Sequence, residues 1–508
     1  MSEDEWNFSF KRLFIPLTAV KAIYIIVSLG FIAYFNALFG AFVWDDFGQV
    51  RENYFIHSLS NFPKLFTGST FGAGTVLFGR YYRPLMTLSY SIIWSLFGPR
   101  PFFFHLTQIM LHIINSILLF VLFRKFFTQQ PAFFLSLIFL VHPINVEAIA
   151  YISALQEPLF FLFGISAFLL SLKEHISTKR TIAIGLLLLC SLLSKETGIL
   201  FIFILLVYRS IFRYRKHLIR IILSVLTPTL IYTYLRFFVA KLFFQRGEQV
   251  PPIMAAPITE RVFTMPAILF FYLKTFFFPK DLTVDQKWLI THQGIQFYLP
   301  LFIDTVFLIG IILFGVWIYR TRKVHFSLFL FFTLWFLVGI GFHMQLLPLD
   351  MTVADRWFYF PMVGLLGIIG VGLNTTLLRT DKVKSTVIIA CFLLIGILTM
   401  RTIARNTIWY NEITFRSNGA QEGDAIPMYD DYLNEEKQGL ELMDKGMMEQ
   451  AVPHFVKSIE LNPTTSVKIC HSELIRQSNS NCKTANEAIW EYFSIDAQGN
   501  NRAKTLSE

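Results

Sequence analysis

An all-α, polytopic membrane protein of about 11 transmembrane helices with a short helical tail is the fold class this sequence predicts, on three observations. Hydrophobic residues make up 54% of the 508 and charged ones only 15%. Apolar runs of 15 to 25 residues recur almost to residue 400, each about the length of a bilayer-crossing helix. Past Met400 the pattern turns polar and keeps a helical spacing. The length would fit three or four soluble domains, but the composition excludes them, and it excludes disorder, which needs few apolar residues and much charge.

The net charge of +10 arises from 44 basic against 34 acidic residues. Most of the basic residues stand in short clusters between apolar runs, where bilayer orientation needs them, so the sequence predicts a lipid bilayer around the chain and no nucleic-acid partner. Cys190 and Cys391 lie inside apolar runs and Cys470 and Cys482 in the polar tail, a spacing that fits no zinc or redox motif.

In chain order, the first run, residues 13–43, is too long for a cleavable signal and lacks a small-residue cleavage site. It follows the acidic SEDE with Lys11 and Arg12, and so reads as a retained span. Further spans are expected near 102–123, 131–151, 157–172, 181–194, 196–212, 218–239, 298–319, 326–346, 357–378 and 385–401, eleven with the first. With the N-terminus cytoplasmic, the clusters at Arg124, Lys173, Arg213, Arg320 and Arg379 all fall on the cytoplasmic side. This assignment takes residues 262–278, interrupted by Pro266 and Lys274, as an interfacial or re-entrant element, and leaves the chain beyond about residue 402 extracytoplasmic. Of the fourteen Asp and Glu between residues 40 and 360, only Glu174 then falls on the cytoplasmic side, which implies a site on the outer face. The expected divisions are a transmembrane domain over 1–402 with a first outer loop at about 44–101, a linker at 403–431, a repeat at 432–463 and a tail at 464–508.

Several clusters carry chemistry. Asp45 and Asp46 follow the first span beside Trp44 and Phe47; adjacent carboxylates raise one another's pKa, which suits a general base, although an Asp in that position is also an ordinary helix cap. Tyr82 and Arg83, at the level of the headgroups, suit a phosphate or a simple anchor. His142 and Glu147 lie inside a span, which is costly unless they face a polar cavity. Lys195-Glu196 breaks the next hairpin, as a neutral pair at a turn or as a site for an anionic headgroup. Asp355-Arg356 heads a Trp-Phe-Tyr-Phe run and reads either as a phosphate-facing cation with its orienting acid or as part of an interface belt.

In the tail, Gly439, Gly446, Ala451, Phe455, Ser458 and Pro463 fall at the spacing of a tetratricopeptide repeat, a helix pair held close by small residues. One such unit cannot bury its own apolar face and needs something to pack on.

Trp44-Asp45-Asp46, Tyr82-Arg83-Pro84-Leu85, Phe104-His105-Leu106, Leu111-His112, Asn115-Ser116, Val141-His142-Pro143-Ile144 with Glu147, Lys195-Glu196-Thr197-Gly198 and the stretch from Ala354 through Asp355 and Arg356 to Pro361 occur in this order, followed by the repeat. The ordered set resembles the transmembrane and tetratricopeptide-repeat-containing O-mannosyltransferases and their bacterial relatives. The resemblance implies a GT-C fold and transfer of a sugar from a polyprenyl-phosphate carrier to a protein or glycolipid acceptor on the extracytoplasmic face. It also implies Asp45 as base, Asp46 as its partner, and Arg356, Arg83 and Lys195 near the departing phosphate. No catalytic metal is required, though a divalent cation at Asp45 and Asp46 is compatible with the pair. The chain departs from the eukaryotic members in offering one clear repeat instead of a long array. Readings from other classes are a transporter, which predicts ionisable groups at the bilayer midplane, and a non-catalytic scaffold, which predicts tolerance to loss of both aspartates.

Overall fold

The computed structural model describes residues 17–70, 81–173, 176–212, 218–242, 252–282, 284, 286–290, 294–374, 381–412, 414–415 and scattered positions between 435 and 457. It divides into two units, residues Met1–Gly419 and Ala420–Glu508. The first is helical throughout; among the described residues, β structure is limited to one antiparallel bridge between Gln286 and Val353.

The helices of the first unit, in chain order, are α1 (Ala19–Tyr34), α2 (Phe62–Thr67), α3 (Pro84–Phe97), α4 (Pro101–Phe123), α5 (Gln129–Val141), α6 (Val146–Ala150), α7 (Gln156–Ser171) and α8 (Thr178–Ser194). They continue with α9 (Ile199–Ile211), α10 (Leu218–Tyr234), α11 (Ile258–Phe277), α12 (Ile295–Thr321), α13 (Lys323–Gly341), α14 (Pro361–Gly372) and α15 (Asp381–Asn406). Among the described residues, seven helical stretches are long and apolar enough to cross a membrane: Ala19–Phe39, Pro101–Phe123, Ile152–Ser171, Ile219–Val239, Ile295–Thr321, Lys323–Gly341 and Ser385–Trp409. An eighth, Gln129–Val141 with Pro143–Ala150, is bent by 49°. The molecule is an integral membrane protein.

The expected count of eleven meets shorter helices in three places. α8, α9 and α14 run for 17, 13 and 12 residues, short of the roughly 20 that a bilayer core asks for. The expected break at Lys195-Glu196 is present, ending α8 at Ser194 and delaying α9 to Ile199. The segment expected to be re-entrant forms one continuous helix, α11, with Pro266 inside it. The repeat expected at 432–463 lies largely outside the described residues; within them Glu435 meets His454 and Lys457, each at 2.6 Å. Cys470 and Cys482 lie outside them as well.

The abundance of Phe has a packing use. α14 is buried along its length and lies against α13 so closely that Gly364 faces the Phe336 backbone and Gly367 the Phe332 ring. Around this pair, Phe201, Phe331, Trp335 and Phe360 meet edge to face or stacked, arrangements that aromatic quadrupoles favour.

The bend between α5 and α7 matters most for the site. Pro143 has no amide proton and Pro158 enters α7, so residues 142–155 cannot form one regular helix. Free carbonyls at this depth are tolerated only if side chains take them up. Gln108 Nε2 donates to Ala148 O and Tyr151 O at 2.8 and 2.7 Å, Tyr90 Oη to Ile152 O at 2.7 Å, and Asn145 Nδ2 to Phe139 O at 2.7 Å. His112 Nε2 donates to Leu140 O at 2.9 Å, so its Nδ1 accepts from the Tyr359 hydroxyl at 2.8 Å, which in turn accepts from Asn115. Side chains thereby take up carbonyls of the irregular stretch, which carries Glu147, Tyr151 and Ser153 and leads into Glu157 at the start of α7.

Candidate functional site

The two aspartates sit in a tight turn after α1. Asp46 N donates to Val43 O at 3.0 Å, closing residues 43–46, and Trp44 takes φ 50° at the second position of the turn. A left-handed backbone there is usually left to glycine, and a bulky residue held so costs about 1–3 kcal/mol. The surroundings fix it: the indole stacks on Tyr151 at 5.4 Å and on Phe415 at 5.4 Å, and Trp44 N donates to Glu412 Oε2 at 3.0 Å.

The two carboxyls differ in kind. Asp46 is fully buried and accepts from Val43 N at 3.0 Å and from Ser153 N at 2.7 Å. Burial pushes its carboxyl up to about 7, against the pull of those donors. Asp45 is half-buried and lies beside the Tyr151 phenol.

Three cations, each joined to a glutamate, stand near this turn. Arg83, just before α3, makes a two-pronged bond to Glu196 through Nε at 3.2 Å and Nη2 at 2.7 Å, with its plane over the Tyr81 ring. Burial pushes the Glu196 carboxyl up, but Arg83 and Lys195 outweigh it and hold that group at about 2. Lys195 meets Glu157 at 2.5 Å with both side chains buried. Arg356 pairs with Glu147 through its guanidinium and again through its backbone N at 2.9 Å. The groups form one electrostatic neighbourhood: Glu157 feels Lys195, Arg356 and Arg83, and Tyr151 feels Asp45, Asp46 and Arg356.

Asp45, Asp46, Arg83, Glu147, Lys195, Glu196 and Arg356, chosen from the sequence, are therefore brought together. Three other choices have main partners of their own. His142 accepts from Ile144 N at 3.2 Å, bonds Phe276 O at 2.9 Å and stacks on the Phe276 ring, a role in holding the bend. Tyr82 is buried, its hydroxyl on Phe66 O at 3.0 Å. Asp355 pairs with Arg405 at 3.4 Å and also feels Glu147 and Arg356, at the edge of the cluster. Sequence reasoning did not single out Glu157, Tyr151, Ser153, Glu412 or Asp350, which accepts from the Tyr81 hydroxyl at 2.6 Å. Glu157 alone had a local signal, a carboxylate opening an apolar run.

A divalent cation at the aspartates fits poorly. Both Asp46 oxygens already accept amide protons, and among the described residues no group of three or more His, Cys, Asp or Glu is placed to ligate a metal.

Fold and site together define a polytopic membrane protein with a charged cluster set against a two-carboxylate turn. Comparison with known proteins then gives the resemblance a particular form. The chain is 29% identical over 151 residues to the mouse protein O-mannosyl-transferase TMTC3, 32% over 194 residues to human TMTC1, and 23% over 471 residues to the Caenorhabditis elegans protein O-mannosyl-transferase F38B6.6. These matches cover 29%, 35% and 88% of this chain but only 16%, 22% and 63% of the respective relatives. The chain is thus similar to the TMTC O-mannosyltransferases, while matching less than two thirds of their length. No family model matches it. Among solved structures, ArnT from Cupriavidus metallidurans bound to undecaprenyl phosphate aligns with 87% of this chain and 76% of its own, with a TM-score of 0.43 and 14% identity.

Proposed function

We propose that this protein is a membrane glycosyltransferase of GT-C type that moves a sugar, mannose or another hexose, from a polyprenyl-phosphate carrier to a hydroxyl acceptor with inversion. The observation that carries the proposal is the half-exposed Asp45 beside a fixed Asp46, with Arg83, Lys195 and Arg356 in the same neighbourhood. The acceptor oxygen attacks the anomeric carbon as the bond from that carbon to the phosphate oxygen breaks, and the electron pair leaves with the polyprenyl phosphate. The acceptor's proton passes to Asp45. A single displacement inverts the anomeric centre.

Asp46 holds the turn and sets the distance of Asp45 from the acceptor. Arg83, Lys195 and Arg356 stabilise negative charge as it develops on the phosphate, where preorganised donors act most strongly. Their glutamate partners keep the cations aimed when no substrate is present. The bonds described for Arg83 use Nε and Nη2, and a guanidinium has five donors.

Radiolabelled sugar transfer from synthetic polyprenyl-phosphate mannose to endogenous membrane acceptors tests this, with wild type compared against Asp45→Asn, Asp46→Asn and the double variant at equal membrane levels. Full activity in every variant removes the carboxylate base and favours a scaffold. The site's face is tested separately: a cysteine replacing Gly423, in a background without Cys470 and Cys482, is expected to react with an impermeant thiol reagent applied outside intact cells.

A further inference from the structure

We propose that Glu412 is a positioning residue for the acidic turn, holding Trp44 in its left-handed conformation and so placing Asp45 for proton abstraction; this rests on the transferase reading. The turn cannot hold itself. Its second residue is a tryptophan at φ 50°, and such a backbone persists only where neighbours over-determine it. One of them is Tyr151, and the others come from the far end of the membrane unit. Glu412 Oε2 accepts the Trp44 amide proton at 3.0 Å, and a carboxylate acceptor binds more strongly than a neutral carbonyl. Phe415 stacks on the indole from the same segment.

That segment is itself built to aim Glu412. Asn411 N donates to Thr414 Oγ1 at 3.1 Å and Thr414 N to Asn411 Oδ1 at 2.9 Å, a reciprocal cap on either side of it. Ala41 N donates to Tyr410 O at 2.7 Å, tying the segment to the chain just before the turn. Asn406 Nδ2 donates to Ala33 O at 2.9 Å and Asn36 Nδ2 to Ile403 O at 2.8 Å, lacing α15 to the end of α1. The bond from Trp44 N to Glu412 meets the backbone one residue before Asp45, so through it Glu412 acts on the turn.

The full-length protein in membranes tests this with polyprenyl-phosphate mannose as donor. Glu412→Ala is expected to lower kcat about tenfold or more with donor KM within about twofold, the pattern of a misplaced reacting group. Glu412→Gln keeps an oxygen for the Trp44 amide and is expected to recover most of the rate. Amide exchange in the peptide around Trp44 should rise in the alanine variant, stay low in the glutamine variant, and remain unchanged in α4 for both. An active wild type beside an unaffected Glu412→Ala overturns this role alone. So does a rise in KM at constant kcat, or exchange that rises equally in α4. A wild type that transfers no sugar from polyprenyl-phosphate mannose or from a panel of other polyprenyl-phosphate-linked hexoses removes the transferase reading and this role with it.

Discussion

Asp46 and Ser153 are joined by a 2.7 Å bond from the serine amide to the aspartate carboxyl, across 107 residues of chain. The same carboxyl takes the Val43 amide, so one side chain fastens the turn after α1 to the broken stretch ahead of α7. An asparagine offers one acceptor oxygen where two donors point, and turns its own N–H groups toward the other. Asp46→Asn is therefore expected to destabilise the protein by about 1–3 kcal/mol, read as a lowered melting temperature in detergent, before any effect on catalysis is counted.

The same carboxyl gives stability a pH dependence. Its folded pKa lies near 7 and its ordinary value is 3.8. Between those values the folded state keeps a proton that the unfolded state has released, so this contribution to stability is full below about pH 4 and is lost as pH rises toward 7. Melting temperature should fall across that window, and less steeply in Asp46→Asn; equal slopes would show that Asp46 does not titrate there.

Lys195 and Glu157 form a pair with both side chains buried, in which neither charge has water as a substitute. Removing one partner of such a pair typically costs about 3–5 kcal/mol, and removing both costs less than the sum. Lys195→Met is expected to lower membrane-inserted yield and melting temperature sharply, with Glu157→Gln in the same chain recovering much of the loss. Additive losses would place the two residues in separate roles.

Gly364 tests the close packing of α14 on α13. A methyl group there would stand 2.3 Å from Phe336 N and 2.8 Å from Phe332 O, backbone atoms that cannot rotate away. Gly364→Ala should cost about 1–3 kcal/mol by prising α14 from α13. Gly310→Ala, on α12 with nothing within 4 Å of the added carbon, should stay within about 0.5 kcal/mol of wild type in the same melting assay.

What the sequence made legible was anything that violates its own surroundings. A carboxylate or a cation in an apolar run is conspicuous, and Asp45, Glu147, Lys195 and Arg356 were found that way and are gathered together in the fold. His142 gave the same signal for a different reason, since a broken span also needs polar side chains to satisfy its own carbonyls. Glu412 gave none: in a polar segment one more glutamate is ordinary, and its importance lies in an amide 368 residues away. The break between α8 and α9 was legible because Lys195 and Glu196 interrupt the apolar run. The broken stretch at residues 142–155 instead reads in the sequence as part of a span at 131–151, because its residues stay mostly apolar.

The bond from Trp44 to Glu412 also sets an order of events in the cell. At synthesis rates of about 5–20 residues per second, the glutamate emerges roughly 20–70 s after the tryptophan. For that interval α1 and the helices after it can insert, and the turn has its bond to Ser153 and its stacking on Tyr151 but not the carboxylate on the Trp44 amide. A chain ending before residue 406 would hold the Arg83–Glu196, Lys195–Glu157 and Arg356–Glu147 pairs but lack the Glu412 bond to Trp44. On the transferase reading, the last support of the acidic turn would then arrive near the end of the membrane unit's synthesis.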